Sequence, residues 1–322
     1  MKNILVTGGA GYIGSHIIEI LIKKKYNVTI VDNLITGYKK LINKEAKFYK
    51  LNILNTKKLK EIIIENNIDS VIHLAASLSI GIGEKHPKKY HKNNVLGTES
   101  ILNACKASRV KNFIFSSTAA VYKDGLFKVT ERSKLKPKSV YGKTKLKAEK
   151  IIIKTCLKYK INYGILRYFN VVGSSLSGKI GLINKADHLF KNFSIETLKR
   201  NPKFKIYGKN YNTPDKTTIR DYVHVSDLSA IHLKVLDKIS YINKSVILNC
   251  GYGKGISVLQ AANEFKKQSN KSVEILFKKR RKGDMEKIIA VNKKILKLIK
   301  WKPKYNNLKY LVQSSILWEK NS

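Results

Sequence analysis

A glycine triplet and a tyrosine–lysine pair carry the chemistry that is legible in this chain. Gly8, Gly11 and Gly14 follow the apolar run Ile4-Leu5-Val6, and Ile13, Ile17, Ile18, Leu21 and Ile22 then recur at helical spacing. Strand, glycine turn and helix aim backbone N–H groups and a positive helix end at a pyrophosphate. Gly8 permits the tight turn, Gly11 lets backbone approach phosphate, and Gly14 lets helix pack closely on strand. A second strand, Asn27–Asp32, ends in an acid 18 residues after Gly14. A carboxylate there accepts from the ribose hydroxyls of adenosine and repels a 2′-phosphate, which predicts NAD over NADP. Tyr141 and Lys145 lie four apart, on one helix face. An ammonium held near a phenol stabilises phenolate, so the pair predicts a tyrosine pKa below about 10 and a proton-transfer role. Ser116-Ser117-Thr118 end the preceding strand with hydroxyls that could bind the same substrate oxygen.

The elements that must position these groups alternate. Ala46–Lys50 is expected as a third strand, Lys57–Glu65 as a helix and Ser70–Ala75 as a fourth strand. Pro87–Ala107 reads as one long helix carrying Asn93 and Asn94. Asn112–Ser116, Val140–Tyr159 and Asn162–Arg167 continue as strand, helix and strand. This alternation predicts an α/β fold with a doubly wound parallel sheet of Rossmann type, its ligands at the carboxyl ends of the strands. After residue 170 the alternation fades into Gly-, Ser- and Asn-containing loops, which predicts a second, smaller α/β lobe. The expected domains are 1–170, rejoined by about 218–238, and a substrate domain of 171–217 and 239–322.

Composition narrows the class. The 322 residues suffice for one large core and a smaller lobe. No apolar run is long enough to span a membrane, and Lys2 leads directly into a strand, unlike a signal peptide. A cytoplasmic protein without a membrane partner is expected. Cys105, Cys156 and Cys250 are odd in number, far apart and separate from the histidines, which argues against a disulfide framework and against a metal site. The net charge of +42 comes mostly from lysine spread along the whole chain. The clusters Lys23-Lys24-Lys25 and Lys278-Lys279-Arg280-Arg281-Lys282 sit in no nucleic-acid motif. Lysine stems covering helix surfaces account for them, and no specific nucleic-acid partner is expected.

With these residues in place, the chain resembles the extended short-chain dehydrogenases/reductases, most closely their UDP-glucose 4-epimerase family. The resemblance runs nearly end to end through Gly8–His16, Asp32-Asn33-Leu34, His73–Ala76, Asn93–Gly97, Phe113–Ala119, Tyr141-Gly-Lys-Thr-Lys145 and Leu166–Asn170. It continues through Ile206-Tyr-Gly208, Ile219–Leu228, Leu248–Gly251 and Arg280-Arg-Lys-Gly-Asp284. The runs Arg220–Leu228 and Arg280–Asp284 are the parts specific to nucleotide-sugar members. The resemblance implies interconversion of UDP-glucose and UDP-galactose by NAD-mediated oxidation and reduction at sugar C4, through a 4-keto sugar. It implies NAD contacts from Tyr12, Ile13, Asp32, Asn33, Asn52, Ile53, Leu74, Ala75, Asn93, Tyr141, Lys145 and Tyr168–Phe169, beside the glycine turn. Thr118 and Tyr141 would flank the reacting hydroxyl, with Lys145 completing the catalytic set. Asn170, His188, Leu189, Tyr207, Arg220, Arg281 and Asp284 would hold the UDP part, and a homodimer formed through a helix pair is implied.

Three departures from the family pattern stand out. Asn52 replaces an acid, Leu78 stands where some members have a lysine, and the loop from Asn170 to His188 is shortened. A 4,6-dehydratase would need acids after the active-site threonine, yet Thr118 is followed by Ala119 and Ala120. Ile288 falls where side-chain bulk varies, so UDP-GlcNAc stays open beside UDP-glucose, as do UDP-glucuronate and UDP-xylose. A noncatalytic NAD-binding protein is the reading from another class, and intact Tyr141, Lys145 and Thr118 speak against it.

Overall fold

The computed structural model describes residues 2–106, 108–183, 188–281 and 284–322. Ala107, the expected end of the long helix, and Lys282 and Gly283 of the Arg-Arg-Lys-Gly-Asp run lie outside the described residues. In chain order come β1 Asn3–Thr7, α1 Tyr12–Lys23, β2 Asn27–Asp32, β3 Lys47–Lys50, α2 Thr56–Glu65 and β4 Ser70–His73. Next are α3 Ile80–Lys85, α4 Pro87–His91, α5 Gly97–Lys106, β5 Asn112–Thr118, β6 Lys128–Val129, α6 Val140–Lys158 and β7 Asn162–Tyr168. Then follow β8 Asn170–Val172, α7 Leu189–Leu198, β9 Lys203–Tyr207, β10 Ile219–His224, α8 Val225–Ile242 and β11 Val246–Cys250. The last are β12 Gly255–Ser257, α9 Val258–Ser269, β13 Glu274–Lys278, β14 Lys287–Ala290, α10 Lys293–Leu298 and α11 Leu308–Asn321.

Two compact units divide the chain. The first comprises Met1–Val121, Leu135–Arg167 and Ser229–Leu248, the second Tyr122–Lys134, Tyr168–Leu228 and Asn249–Ser322. The expected boundaries differ from these: residues 122–134 fall in the second unit, and the segment rejoining the first is Ser229–Leu248.

The first unit is built on a seven-stranded sheet in the order β11-β7-β5-β4-β1-β2-β3, with β3, β2, β1, β4 and β5 paired in parallel. Ile4, Leu5 and Val6 are wholly buried because a parallel sheet is covered on both faces. α1 turns Ile17, Ile18 and Leu21 inward and leaves Lys23 to solvent, as its apolar spacing requires. The strand order reverses between β1 and β4, which places a ligand crevice at the carboxyl ends of those two strands. The expected single helix Pro87–Ala107 is interrupted: a π-helical turn, Lys92–Leu96, joins α4 to α5 and contains Asn93 and Asn94. Such turns widen a helix locally, let a side chain reach inward, and recur at functional sites.

The second unit carries a five-stranded sheet, β12-β10-β14-β6 with β8 also paired to β10, and a two-stranded β13-β9 ribbon. Phe193 of α7, Phe204 of β9 and Phe265 of α9 pack together.

Candidate active site

β1 runs into Gly8, whose φ of +74° favours glycine. Its N–H donates to the Val31 carbonyl at 2.9 Å. A Cβ at Gly8 would lie 2.7 Å from the Ala75 nitrogen, so the close approach of the two strand ends excludes any side chain. Gly14 packs against the Gly8 carbonyl, where a Cβ would collide. A Cβ at Gly11 would meet the Gly8 oxygen at 3.2 Å, and no side chain caps the helix that begins at Tyr12. Backbone and helix end are therefore presented for an anion.

Asp32 closes this cradle. It is buried, and its two oxygens accept from Ala10 N at 3.0 Å and Leu34 N at 2.9 Å. Burial pushes the carboxyl pKa up, while those N–H donors pull it back. Each carboxylate oxygen has a second lone pair, which fits the vicinal hydroxyls of an NAD ribose. Asn33 and Asn52 brace their own turns, accepting from Ile35 N and Leu54 N at 3.0 Å each. Ile53 is buried, and Leu74 N donates to Thr7 O at 3.0 Å, continuing the β4–β1 ladder.

The π turn reaches α6 through polar groups, the link from Asn94 to Thr144 being buried. Asn93 Nδ2 donates to Ser77 Oγ at 3.1 Å. Asn94 Nδ2 donates to Ser77 O at 3.0 Å and to Thr144 Oγ1 at 3.1 Å, while Oδ1 accepts from Ser77 N. Thr144 Oγ1 in turn donates to Tyr141 O at 2.8 Å. Thr98 Oγ1 donates to Asn94 O, so His73 Nε2 must donate to Thr98, and Nδ1 accepts from Thr7 at 2.7 Å. Burial and nearby Lys145 push the His73 pKa down to about 3, keeping the ring neutral.

α6 begins at a defined place. Ser139 Oγ accepts from Gly142 N at 3.1 Å, and Glu84 Oε1 accepts from Val140 N at 2.8 Å. A Cβ at Gly142 would collide with the Ala120 carbonyl, so glycine lets the first turn lie against the end of β5. Burial pushes the Tyr141 pKa up to about 12, and the Thr118 side chain opposes the rise. The expected lowering by Lys145 is corrected here, because that ammonium is engaged elsewhere. Lys145 Nζ donates to Ser116 O at 2.6 Å and lies 4.5 Å over the Phe115 ring. Burial pushes its pKa down to about 7, against the attraction of Glu149. Glu149, one turn further on, accepts from Arg167 at 3.0 and 2.7 Å and from the Ser117 hydroxyl. Asn94 and Arg167 lie inside motif runs that gave them no role of their own, and Glu149 lies in none; the spacing Tyr141, Lys145, Glu149 was the available signal for the last.

The second unit gathers a different set. Arg220, on β10, donates to Ile219 O at 3.0 Å and lies 3.9 Å from the Asp284 carboxylate. The Arg281 guanidinium stacks 3.9 Å over the ring of Tyr207, which is 36% exposed. Ile288, buried on β14, is the register partner of Arg220. His188 has both ring nitrogens occupied: Nε2 donates to Val171 O at 2.7 Å and Nδ1 accepts from Lys191 N at 3.5 Å, capping α7. Leu189 starts that helix, and Asn170 stands exposed at the start of β8. Phe169, expected with the cofactor residues, is buried in this unit and donates its N–H to Cys250 O. Within the run Arg220–Leu228, Asp221 accepts from Tyr252 N, Gly253 N and Ala290 N at 2.8, 2.9 and 3.1 Å. Burial raises its pKa to about 6. Asp227 accepts from Tyr252 OH and from the Lys304 and Tyr305 amides. These acids hold together the framework that carries Arg220.

Residues 4–251 match the family described as NAD dependent epimerase/dehydratase. The chain belongs to that family. Among its curated members, UDP-glucose 4-epimerase of Lactobacillus helveticus is 37% identical, covering 99% of this chain and 97% of that protein. A crystal structure of UDP-glucose 4-epimerase from Bifidobacterium longum in complex with NAD+ and UDP superposes with a TM-score of 0.92 at 31% identity, covering 99% and 98% of the two chains. The UDP-Glc/GlcNAc 4-epimerase of Campylobacter jejuni superposes with a TM-score of 0.87 at 34% identity, covering 100% of both. Among the described residues no helix is long and apolar enough to cross a membrane.

Proposed function

We propose that this chain interconverts UDP-glucose and UDP-galactose, with Tyr141 taking and returning the proton of the sugar 4-hydroxyl. The placement of Tyr141 in the first turn of α6, which lies against the end of β5 where Thr118 stands, carries this reading. Loss of the 4-hydroxyl proton together with the C4 hydride turns C4–OH into the carbonyl of a 4-keto sugar; return of both, with the hydride added to the opposite face, regenerates the hydroxyl with inverted configuration. NAD, when bound, supplies hydride acceptance and return at C4. Gly8, Gly11 and Gly14 with Tyr12 and Ile13 would cradle its pyrophosphate, and Asp32 its adenosine ribose, with Asn33, Asn52, Ile53, Leu74, Ala75, Asn93, Lys145 and Phe169 as further contacts. Thr118 donates to or accepts from the sugar oxygen as its proton moves, and Lys145, tied to Ser116, braces α6 against β5.

Arg220 and Arg281 would neutralise the diphosphate, each forking onto its oxygens, and Asp284 would accept from the uridine ribose. Asn170, Leu189 and Tyr207 would line the nucleotide; His188 serves by shaping the start of α7. A homodimer in the cytoplasm completes the reading, and light scattering at twice 36.6 kDa tests it. Aliphatic Ile288 favours a second substrate, the N-acetylated UDP-hexose, and turnover of UDP-GlcNAc measured beside UDP-glucose tests it.

Epimerisation and net oxidation are separated by isotope. C4-deuterated UDP-galactose incubated in ordinary water should give UDP-glucose that retains its deuterium, with no NADH released in proportion to product. Loss of deuterium to solvent rejects the reading.

A further inference from the structure

Two consecutive residues of β5 hold two residues of α6. The Ser116 carbonyl binds Lys145 and the Ser117 hydroxyl binds Glu149, while Thr118, next on the strand, opposes the rise in the Tyr141 pKa. Glu149 is the only acid on α6, and Arg167 on β7 grips it at 2.7 and 3.0 Å, with both side chains 2% exposed. We propose that Glu149 is a positioning residue of this site: clamped by Arg167 and Ser117, it supplies the buried counter-charge of Lys145 and fixes the register of α6 that sets Tyr141 beside Thr118. The proposal rests on the reading of Tyr141 as the proton-transfer group.

The charge balance around Lys145 supports it. Glu149 faces the ammonium from α6, His73 from β4, the Phe115 ring from β5, and Arg167 on β7 acts behind Glu149. His73 is held neutral, so the carboxylate of Glu149 is the group that favours the charged lysine against burial. Removing one partner of a buried pair strands the other, so the carboxylate cannot be lost silently.

Glu149→Gln keeps the shape and removes the charge. At pH 7 it should lower kcat by about tenfold or more, because a small displacement of the base is costly. KM for UDP-galactose should stay within about threefold, since the nucleotide contacts are untouched. The alkaline limb of the kcat profile should move to lower pH by about half a unit or more, since Lys145 then loses its proton more easily. Wild-type kcat with an unmoved limb overturns the proposal. Should Glu149→Gln not fold by circular dichroism, Ser117→Ala carries the test: a several-fold fall in kcat at unchanged KM supports the clamp, and wild-type kcat overturns it. Tyr141→Phe is measured alongside. If it is fully active, the base assignment falls and this proposal with it; if it is inactive while Glu149→Gln matches wild type, the Glu149 assignment alone falls.

Discussion

The ammonium of Lys145 donates to the main-chain oxygen of Ser116 at 2.6 Å, which ties the lysine to β5, while Glu149, one turn further along the same helix, accepts from the hydroxyl of the next strand residue, Ser117. Strand and helix are thus joined residue by residue along the face that also carries Tyr141.

Tyr141→Phe removes one hydroxyl from a half-buried ring and should leave the fold intact. Turnover should fall by a factor of about 10²–10⁴, the usual worth of a positioned proton-transfer group. A coupled UDP-galactose assay with a parallel thermal melt checks both halves. Activity within a few-fold of wild type would sink the assignment.

Lys145 makes stability depend on pH in an unusual direction. Its pKa is about 7 in the fold, against about 10.4 in an unfolded chain. Between those values the unfolded state binds the extra proton, so this residue's contribution to stability rises with pH, by up to about 1.4 kcal/mol per unit. Below pH 7 both states are charged and the burial penalty is fully present. Lys145→Met should therefore be most stable relative to wild type at pH 6–7, and that margin should shrink toward pH 10. Urea unfolding of both proteins across this range measures it; a margin independent of pH would mean Lys145 titrates like a solvated lysine.

Asp32→Ala should weaken NAD binding by about 1.5–3 kcal/mol, the range for hydrogen bonds to a charged group. It should also narrow discrimination against NADP, because the repelling carboxylate is gone. Calorimetric titration of both cofactors reads the two effects together. A wild-type preference for NADP would contradict the ribose role.

Arg220→Ala and Arg281→Ala should each weaken UDP by about 1.5–3 kcal/mol through loss of a charge-assisted contact. Arg281→Lys should recover little of this, since an ammonium neither stacks on Tyr207 nor forks onto phosphate in the same way. Equilibrium binding of UDP alone separates these losses from any effect on turnover.

Much of the first unit could be read from local order in the chain. Gly8, Gly11 and Gly14 are demanded by backbone conformation and close approach, and such demands leave a mark on residue type itself. The buried strands and the shared face of Tyr141 and Lys145 follow from periodicity alone, as does the parallel alternation of elements. Partnership is another matter. Periodicity says which way Lys145 and Glu149 point; only the pairing of β5 with α6 and β7 shows that Ser116 takes one, and Ser117 and Arg167 the other. The π turn at Lys92–Leu96 is likewise set by tertiary packing, because the inward hydrogen bonds of Asn94 to Ser77 and Thr144 compensate an irregular helix that residue propensity alone would not choose. His188 shows the same limit: its residue type suits a ligand, yet the position of Val171 and the start of α7 occupy both ring nitrogens. Spacing along a chain determines faces and turns; which polar groups meet, and hence their charge states, is decided only when distant segments close around them and exclude water.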